Sequence, residues 1–568
     1  MSFVYYQGDS IEKILVTAAL PYVNNVPHIG NIVGCHLPAD IFARFCRLAG
    51  YETVFIGGSD EHGTPIEVAA RKVNKSPREL CDEYYKIHKE IYDWLDISYD
   101  NFSRTSYEIH HKTTQEFFLT LYEKGFISEG LLNLPYCEND ERVLPDRYVE
   151  GKCPVCGYEK ARGDQCERCS TILDPKDLIE PYCVICGSKP IFKNVKHLFF
   201  DLNKLQDKLR EWIISREGII SQQVINYTLS LLESGLKPRC ITRDISWGVK
   251  VPIKGYEDKV FYVWFDAPIG YISSTKEWSE KIGNRDAWKD FWIKKDAKIF
   301  HFIGKDNIPF HTIFWPAMLI AEGRYNLPYN VVGLQYLNYE GDKISKSSGW
   351  GIFCENLPKS GIDSDVWRYY LTFLIPETSD TEWKWSEFKE RINNDLIANF
   401  GNFVYRSLSF IKNNFDGRVP KAYYLDEMDR RMLILGEKYA IEIKDLMLKV
   451  KIRDSLRKVL EFSSECNKYF NDSEPWKKIK ENKEIAGSKL YVAANLCYDL
   501  AILISPFLPK TAKRISEQLN TPLGNLNDCG KARVRENNFL GDVKILFQKL
   551  DDEMIEKVKK IVTTVSSY

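Results

Sequence analysis

His28 and Gly30 stand at the turn of the stretch Ala19-Leu20-Pro21-Tyr22-Val23-Asn24-Asn25-Val26-Pro27-His28-Ile29-Gly30-Asn31. The apolar run Ile14-Leu15-Val16 before it reads as a buried strand, and Ile32 to Leu48 after it reads as a helix. Strand, Pro/Gly turn and helix suit an anion, because backbone N–H groups are free at a helix start and the helix dipole favours negative charge there. Gly30 permits close backbone approach for want of a Cβ, and His28 adds a side-chain donor at the phosphate. Alone, a His-x-Gly reads as a helix cap beside a surface histidine. The second stretch is Asp342-Lys343-Ile344-Ser345-Lys346-Ser347-Ser348-Gly349. Lys343 and Lys346, interleaved with hydroxyls such as Ser345, make a cationic clamp able to follow phosphate charge as it develops. By itself that loop reads as a solvated turn.

Thiolate chemistry is the next signal. Cys153-Pro154-Val155-Cys156 and Cys166-Glu167-Arg168-Cys169 are two CxxC pairs whose turns each aim two sulfurs at one point. Together they close a tetrahedral Zn²⁺ site. A third pair, Cys183 and Cys186, has only Cys137-Glu138-Asn139-Asp140 as a partner, with a carboxylate in the last position. A Cys₃Asp site and a vacant or lost second site both fit that spacing. No histidine-rich set or open coordination position accompanies these cysteines, so the zinc, one ion or two, is expected to be structural.

Together the first two stretches resemble the paired signatures of class I aminoacyl-tRNA synthetases, His-x-Gly-His and Lys-Met-Ser-Lys-Ser. Asn31 here replaces the second histidine and Ile344 the methionine. A strand Tyr51 to Ile56 ends in Gly57-Gly58-Ser59-Asp60-Glu61-His62-Gly63-Thr64-Pro65, where Asp60 is placed to hold an ammonium or to form an Asx turn. That loop resembles methionyl-tRNA synthetase, whose own reads Asp-x-His-Gly-Thr-Pro. The resemblance implies that Asp60 binds the methionine amino group, with Leu20 and Tyr22 in the same pocket. It also implies pocket roles for Trp264, Ala267, Pro268, Tyr271, His311 and Trp315. Those rings read equally as ordinary core, but a thioether needs an apolar, polarizable wall. Tyr22, His28, Gly30, Asn31, Gly304, Asp306, Lys343, Ser345 and Lys346 would bind ATP, which brings Mg²⁺ with it. The catalytic set would be His28, Gly30, Asn31, Lys343 and Lys346. Leu144-Pro145-Asp146-Arg147-Tyr148 matches a family stretch in the zinc-knuckle insertion, and Asn402, Arg406 and Trp476 match the residues that read the CAU anticodon.

These residues require a particular frame. The expected fold is α/β: a Rossmann-like parallel-sheet catalytic domain in two halves, 1–124 and 241–333, split by a zinc-knuckle insertion at 125–240. A lysine-loop and linker region at 334–390 and an all-α anticodon-binding domain at 391–568 complete it. Residues 66–124 read as helical and charged with no defended site. Val260 to Tyr271 reads as a strand running into a loop and Lys298 to Asp306 as a strand ending in polar groups, with Asp365 to Leu374 and Trp383 to Asn414 as helices. At Ser473-Glu474-Pro475-Trp476-Lys477-Lys478 an indole beside lysines suits unstacked bases, or else is a packed tryptophan in a solvated helix.

Totals narrow the classes. Lys+Arg 78 against Asp+Glu 79 leaves a formal net charge of −1, so RNA binding would need local basic faces. Met1 to Ser10 lacks signal-peptide character, no apolar run is read as long enough to span a bilayer, and fifteen cysteines, six of them in CxxC pairs, suit thiolate metal ligands in a reducing cytoplasm. With no appended oligonucleotide-binding domain expected after Leu546 to Val565, a monomer is expected. The resemblance implies ATP-dependent activation of L-methionine to methionyl-adenylate and its transfer to the 3′ end of tRNA(Met), serving initiation and elongation. The rivals are a class I synthetase for cysteine or leucine and a non-catalytic tRNA-binding zinc protein, the latter suggested by Asn31.

Overall fold

The computed structural model describes residues 13–564 except 146, 147, 164, 165, 167, 170, 172 and 347. Asp146, Arg147, Glu167, Ser347, Val565 and the N-terminal stretch Met1 to Ser10, all used above, lie outside the described residues. Five strands form the central sheet: β1 (Lys13–Ala18), β2 (Glu52–Ser59), β3 (Asn101–Arg104), β4 (Ala297–Gly304) and β5 (Asn330–Leu334). Their spatial order is β5-β4-β1-β2-β3 and every neighbouring pair is parallel, with Val16 between Phe55 and Phe300. Strands run apolar on both sides because both faces are covered. Ile14, Val16, Phe300 and Phe302 enter one core, while Leu15, Val54, Ile299 and Ile303 enter the other. The first half of the chain builds outward from β1 to one side and the second half to the other. The C-terminal ends of β1 and β4 therefore flank the switch point where such sheets bind ligands.

Helix α1 (Leu37–Leu48) covers the first face, and α3 (Glu108–Glu123) and α4 (Ile269–Lys281) the second. Between α1 and α3 lies α2 (Pro77–Trp94), capped by Ser76 and Glu79 reaching for each other's backbone N–H. The stretch 66–124, expected helical throughout, thus contains the edge strand β3. The strand expected from Val260 covers only Val260–Phe261, and Val263–Asp266, expected as strand or loop, turns helical. Thr381–Trp383 is also strand, and the helix expected from Trp383 starts at Trp385, is π-wound over Ile392–Gly401, and continues as α5 (Asn402–Asn414).

The insertion is an antiparallel pair, Ile127–Cys137 with Ile191–Phe200, carrying a small cysteine-rich core around Leu144, Tyr148 and Val149. From Leu198 onward the chain is back in the catalytic core, where Leu209, Trp212 and Val224 pack with Leu15 and Ile299. The C-terminal region is helical, including α6 (Ile452–Ser473), α7 (Lys483–Ile504) and α8 (Asp552–Val562). Helix α7 corrects the reading that no run could span a bilayer: by length and composition it could, but 94% of its apolar window is buried inside the helical domain. A helix apolar all round is the centre of a bundle here. Arg368, fully buried, joins the units by donating to the carbonyls of Leu95, Pro506 and Phe507 and pairing with Asp40 at 2.8 Å.

Candidate active site

At the switch point lies a cavity of about 790 Å³, a size that takes a nucleotide beside a small substrate. The ends of β1, β2 and β4 deliver Leu20 and Tyr22, Asp60, and Gly304 and Asp306 to its wall. His28, Gly30 and Asn31 enter from the turn after β1, and Lys343 and Lys346 close the opposite side. The turn folds tightly. A Cβ on Gly30 would lie 2.9 Å from the His28 ring, so glycine is what lets the imidazole lie over the backbone. Asn31 accepts the His28 backbone N–H on its side-chain oxygen at 3.0 Å, which leaves its NH₂ group as the remaining donor. His28 Nδ1 is buried without a hydrogen-bond partner, and burial, with Lys346 nearby, pushes the ring down to about 3. It is a neutral imidazole at pH 7.

Asp60 is 5% exposed and its Oδ1 has no hydrogen-bond partner. Burial first, then the neighbouring carboxylates Asp266 and Glu61, holds its carboxyl well above the usual range. A buried acceptor in that state is a site for a cation. The wall beside it is apolar. Trp264, Ala267, Pro268 and Tyr271 line it from the segment that turns helical after Phe261. A Cβ on Gly270 would come 2.9 Å from Leu20 Cδ2, so the absence of one there makes room for that side chain. The polar tips are spent on each other: His311 donates from Nδ1 to the Asn307 carbonyl at 3.0 Å and accepts from Tyr271 O–H on Nε2 at 2.8 Å. Burial pushes His311 down to about 4, consistent with that neutral tautomer. Trp264, 44% exposed, stands at the mouth against Phe310, with ring centroids 4.0 Å apart.

Two expected residues do not reach the cavity. Trp315 is fully buried behind the wall, donating to His301 Nε2 at 3.3 Å, because its position on the helix turns it into the core against Tyr271 and Trp292. Ser345 closes the lysine loop instead, pairing its backbone with Trp350 at 2.8 and 2.9 Å. Lys346 does face inward, and burial pulls its ammonium down to about 8, while Lys343 is exposed.

Both cysteine sets converge. Cys153, Cys156, Cys166 and Cys169 place their sulfurs within 4.8 Å of one another, and so do the ligand atoms of Cys137, Asp140, Cys183 and Cys186. In the second set Asp140 Oδ2 lies 3.1 Å from the sulfurs of both Cys137 and Cys183. Four soft donors around one point fit Zn²⁺ in the first set, and three thiols with one carboxylate fit it in the second.

Comparisons decide the family. The family "tRNA synthetases class I (M)" matches residues 14–408, and the "anticodon binding domain of methionyl tRNA ligase" matches residues 419–565. The chain belongs to the class I methionine–tRNA ligases. It is 44% identical over 548 residues to the methionine–tRNA ligase of Thermoplasma volcanium, covering 96% of this chain and 99% of that one. To the enzyme of Saccharolobus solfataricus it is 43% identical over 559 residues, covering 96% of each. Among solved structures it resembles Mycobacterium tuberculosis methionyl-tRNA synthetase bound by methionyl-adenylate, with TM-score 0.77, 26% identity, and 94% of this chain and 100% of that one covered.

In the ligase's helical domain, Arg406 and Trp476 come together. The Arg406 guanidinium lies 5.6 Å from the Trp476 ring centre and 4.9 Å from that of Phe470, and both its NH groups donate to Asn471 Oδ1 at 3.3 Å. Asn402 is exposed one turn earlier on α5. Glu474, at φ +42°, breaks α6 so that Pro475 starts a new helix and the indole sits half-exposed. Sequence reasoning missed Phe470 and Asn471 here, and His36, His88, Tyr92, Phe310 and Tyr336 at the cavity. Phe310 and Tyr336 adjoin motifs already singled out. Nothing local marks His36, His88 or Tyr92, which reach the site from α2 and the start of α1.

Proposed function

We infer that the chain joins L-methionine to tRNA(Met) in two steps. A methionine carboxylate oxygen attacks the α-phosphorus of ATP, the bond to the β-phosphate breaks, and pyrophosphate leaves. A hydroxyl of the terminal adenosine of tRNA then attacks the adenylate carbonyl and AMP leaves. No protein group becomes covalently bonded, so the residues act by position and charge. Asp60 takes the ammonium, and the wall of Leu20, Tyr22, Trp264, Ala267, Pro268 and Tyr271 takes the side chain. Its internally satisfied Tyr271–His311 pair offers a thioether no competing donor. His28, Gly30 and Asn31 hold the α-phosphate, Lys343 and Lys346 the departing pyrophosphate, and Gly304 and Asp306 the nucleoside. Mg²⁺ enters with ATP as part of the substrate. The two cysteine sets each hold one structural zinc, and Asn402, Arg406 and Trp476 receive the anticodon.

The reading is carried by one juxtaposition: a buried Asp60 carboxylate, its Oδ1 without a hydrogen-bond partner, beside an apolar wall, in the same cavity as His28 and Lys346. The domain limits 1–124, 125–240, 241–333, 334–390 and 391–568 are proposed with it, the end of the insertion from Leu198 packing into the catalytic core. A monomer is proposed because cavity, lysine loop and helical platform all come from one chain. A cytoplasmic location suits fifteen cysteines of which none is paired in a disulfide. ATP–pyrophosphate exchange with each of the twenty amino acids is the test. Exchange with methionine alone is expected; exchange with another amino acid would overturn the pocket, and none at all would favour a binding protein.

A further inference from the structure

The loop that precedes His28 has little backbone structure to hold it. Val23 N–H reaches the Asp60 carbonyl at a long 3.4 Å, and the Cys354 N–H meets the Pro27 carbonyl at 2.9 Å. Between them the Asn25 carbonyl accepts from a side chain, His88 Nε2, at 2.8 Å. His88 projects from α2 into the cavity wall, 63 residues away in sequence, and is 2% exposed.

Behind it runs a chain of buried groups whose direction is fixed by its end. A carbonyl only accepts, so His88 must carry its proton on Nε2 and offer Nδ1 as an acceptor. Burial keeps the ring neutral, pushed down to about 4. Tyr92 O–H lies 3.5 Å from His88 Nδ1 and 3.1 Å from His36 Nε2. With its proton toward His88, its oxygen accepts from His36 Nε2–H. His36 Nδ1 then accepts from Tyr99 O–H at 2.7 Å. Every donor finds an acceptor in one sense only: Tyr99 to His36 to Tyr92 to His88 to the Asn25 carbonyl. The far end is anchored in the sheet, where Tyr99 stacks on Phe55 with centroids 4.2 Å apart. The near end reaches the segment that delivers His28.

We propose that His88, backed by Tyr92, His36 and Tyr99, is a positioning residue that sets the Asn24–His28 loop for contact with the ATP phosphates. This rests on the proposed adenylation. It does not make His88 a proton donor to substrate, since its donor is already committed. It also accounts for how a signature lacking its second histidine keeps a defined turn: Asn31 ties the turn from within and His88 ties the loop from outside.

The test uses the full chain and separates nucleotide use from amino-acid binding. His88→Leu is expected to lower kcat/KM for ATP in methionine-dependent pyrophosphate exchange at least tenfold, with the methionine dissociation constant in the absence of ATP within twofold of wild type. His88→Gln, whose amide N–H stands near the Nε2 position, is expected to recover to within about threefold. Tyr92→Phe, which keeps the ring but cannot donate, is expected to fall between them. Unchanged ATP use in His88→Leu, parallel loss of methionine affinity, or a Gln variant no better than Leu would overturn the proposal. A second readout needs no catalysis and so separates this proposal from the adenylation reading. Nitrogen-15 histidine spectra of wild type at pH 6.5 should show His88, assigned by its loss in His88→Gln, as a neutral Nε2–H tautomer. An imidazolium or an Nδ1–H tautomer there would overturn the relay even if exchange is normal.

Discussion

At the scale of single residues the site contains groups held in states that a ligand relieves. Asp60 is the clearest. Its folded pKa is raised, so its ionised form opposes folding. That cost is absent below the unfolded carboxylate value, grows as pH rises from the unfolded to the folded value, and is complete above the folded one. Asp60→Asn should therefore weaken methionine binding by about 3 kcal/mol, roughly 100-fold, while leaving urea stability of the ligand-free protein at pH 7.5 unchanged or higher. Loss of stability with methionine affinity intact would refute the ammonium role. Lys346 runs the other way, since burial pulls it down to about 8. Its cationic form, the one that attracts triphosphate, is lost as pH rises through that value. kcat/KM for ATP, which reports the free enzyme, should fall above about pH 8, and the residual rate of Lys346→Ala should lack that limb. A limb that persists in the variant would assign it elsewhere.

At the scale of elements, the insertion makes its own forecast. A small core of Leu144, Tyr148, Val149 and a few neighbours is thin for an independent unit, so the proposed zinc would contribute folding energy there. Metal analysis should find two zinc ions per chain in wild type and one in Asp140→Ala, with pyrophosphate exchange little changed. One ion in wild type would leave only the four-cysteine site. The same scale shows why some elements were legible in sequence and others not. The strands β1, β2 and β4 announce themselves because continuous apolar runs with turn residues have few other uses. β3, the short Asn-Phe-Ser-Arg strand between two charged helices, has no such run and exists only because β2 offers an edge. Val263–Asp266 looked like strand because Val, Trp and Phe are strand formers, yet tertiary packing of Phe265 beneath α3 wins. Among site residues, those in contiguous motifs were readable. Trp315 stands behind the wall because a motif match gives a residue's place in the chain, not the direction its ring takes. His88 and His36 were invisible because their neighbours are made by the fold.

At the scale of the whole molecule, the cavity and the proposed anticodon platform must share one frame if tRNA is to reach both. The sheet's first face and the helical domain form one continuous apolar core, and Arg368 sits within it, linking the helix behind the His28 turn to the carbonyls of Pro506 and Phe507. Removing that guanidinium leaves buried carbonyls without donors and deprives Asp40 of one of two cationic partners, the other being Arg44 at 2.9 Å. Arg368→Met should cost about 3 kcal/mol or more in urea unfolding and reduce tRNA charging more than pyrophosphate exchange, because the relative seating of platform and cavity matters only when tRNA spans them. Trp476→Ala provides the contrast. It removes a stacking surface worth about 1–3 kcal/mol per base, so charging should fall roughly 10- to 100-fold with stability and exchange near wild type. If Arg368→Met matched Trp476→Ala in keeping full stability, the buried arginine would not be what joins the domains. If both variants charged tRNA normally, the helical platform would have no part in reading it.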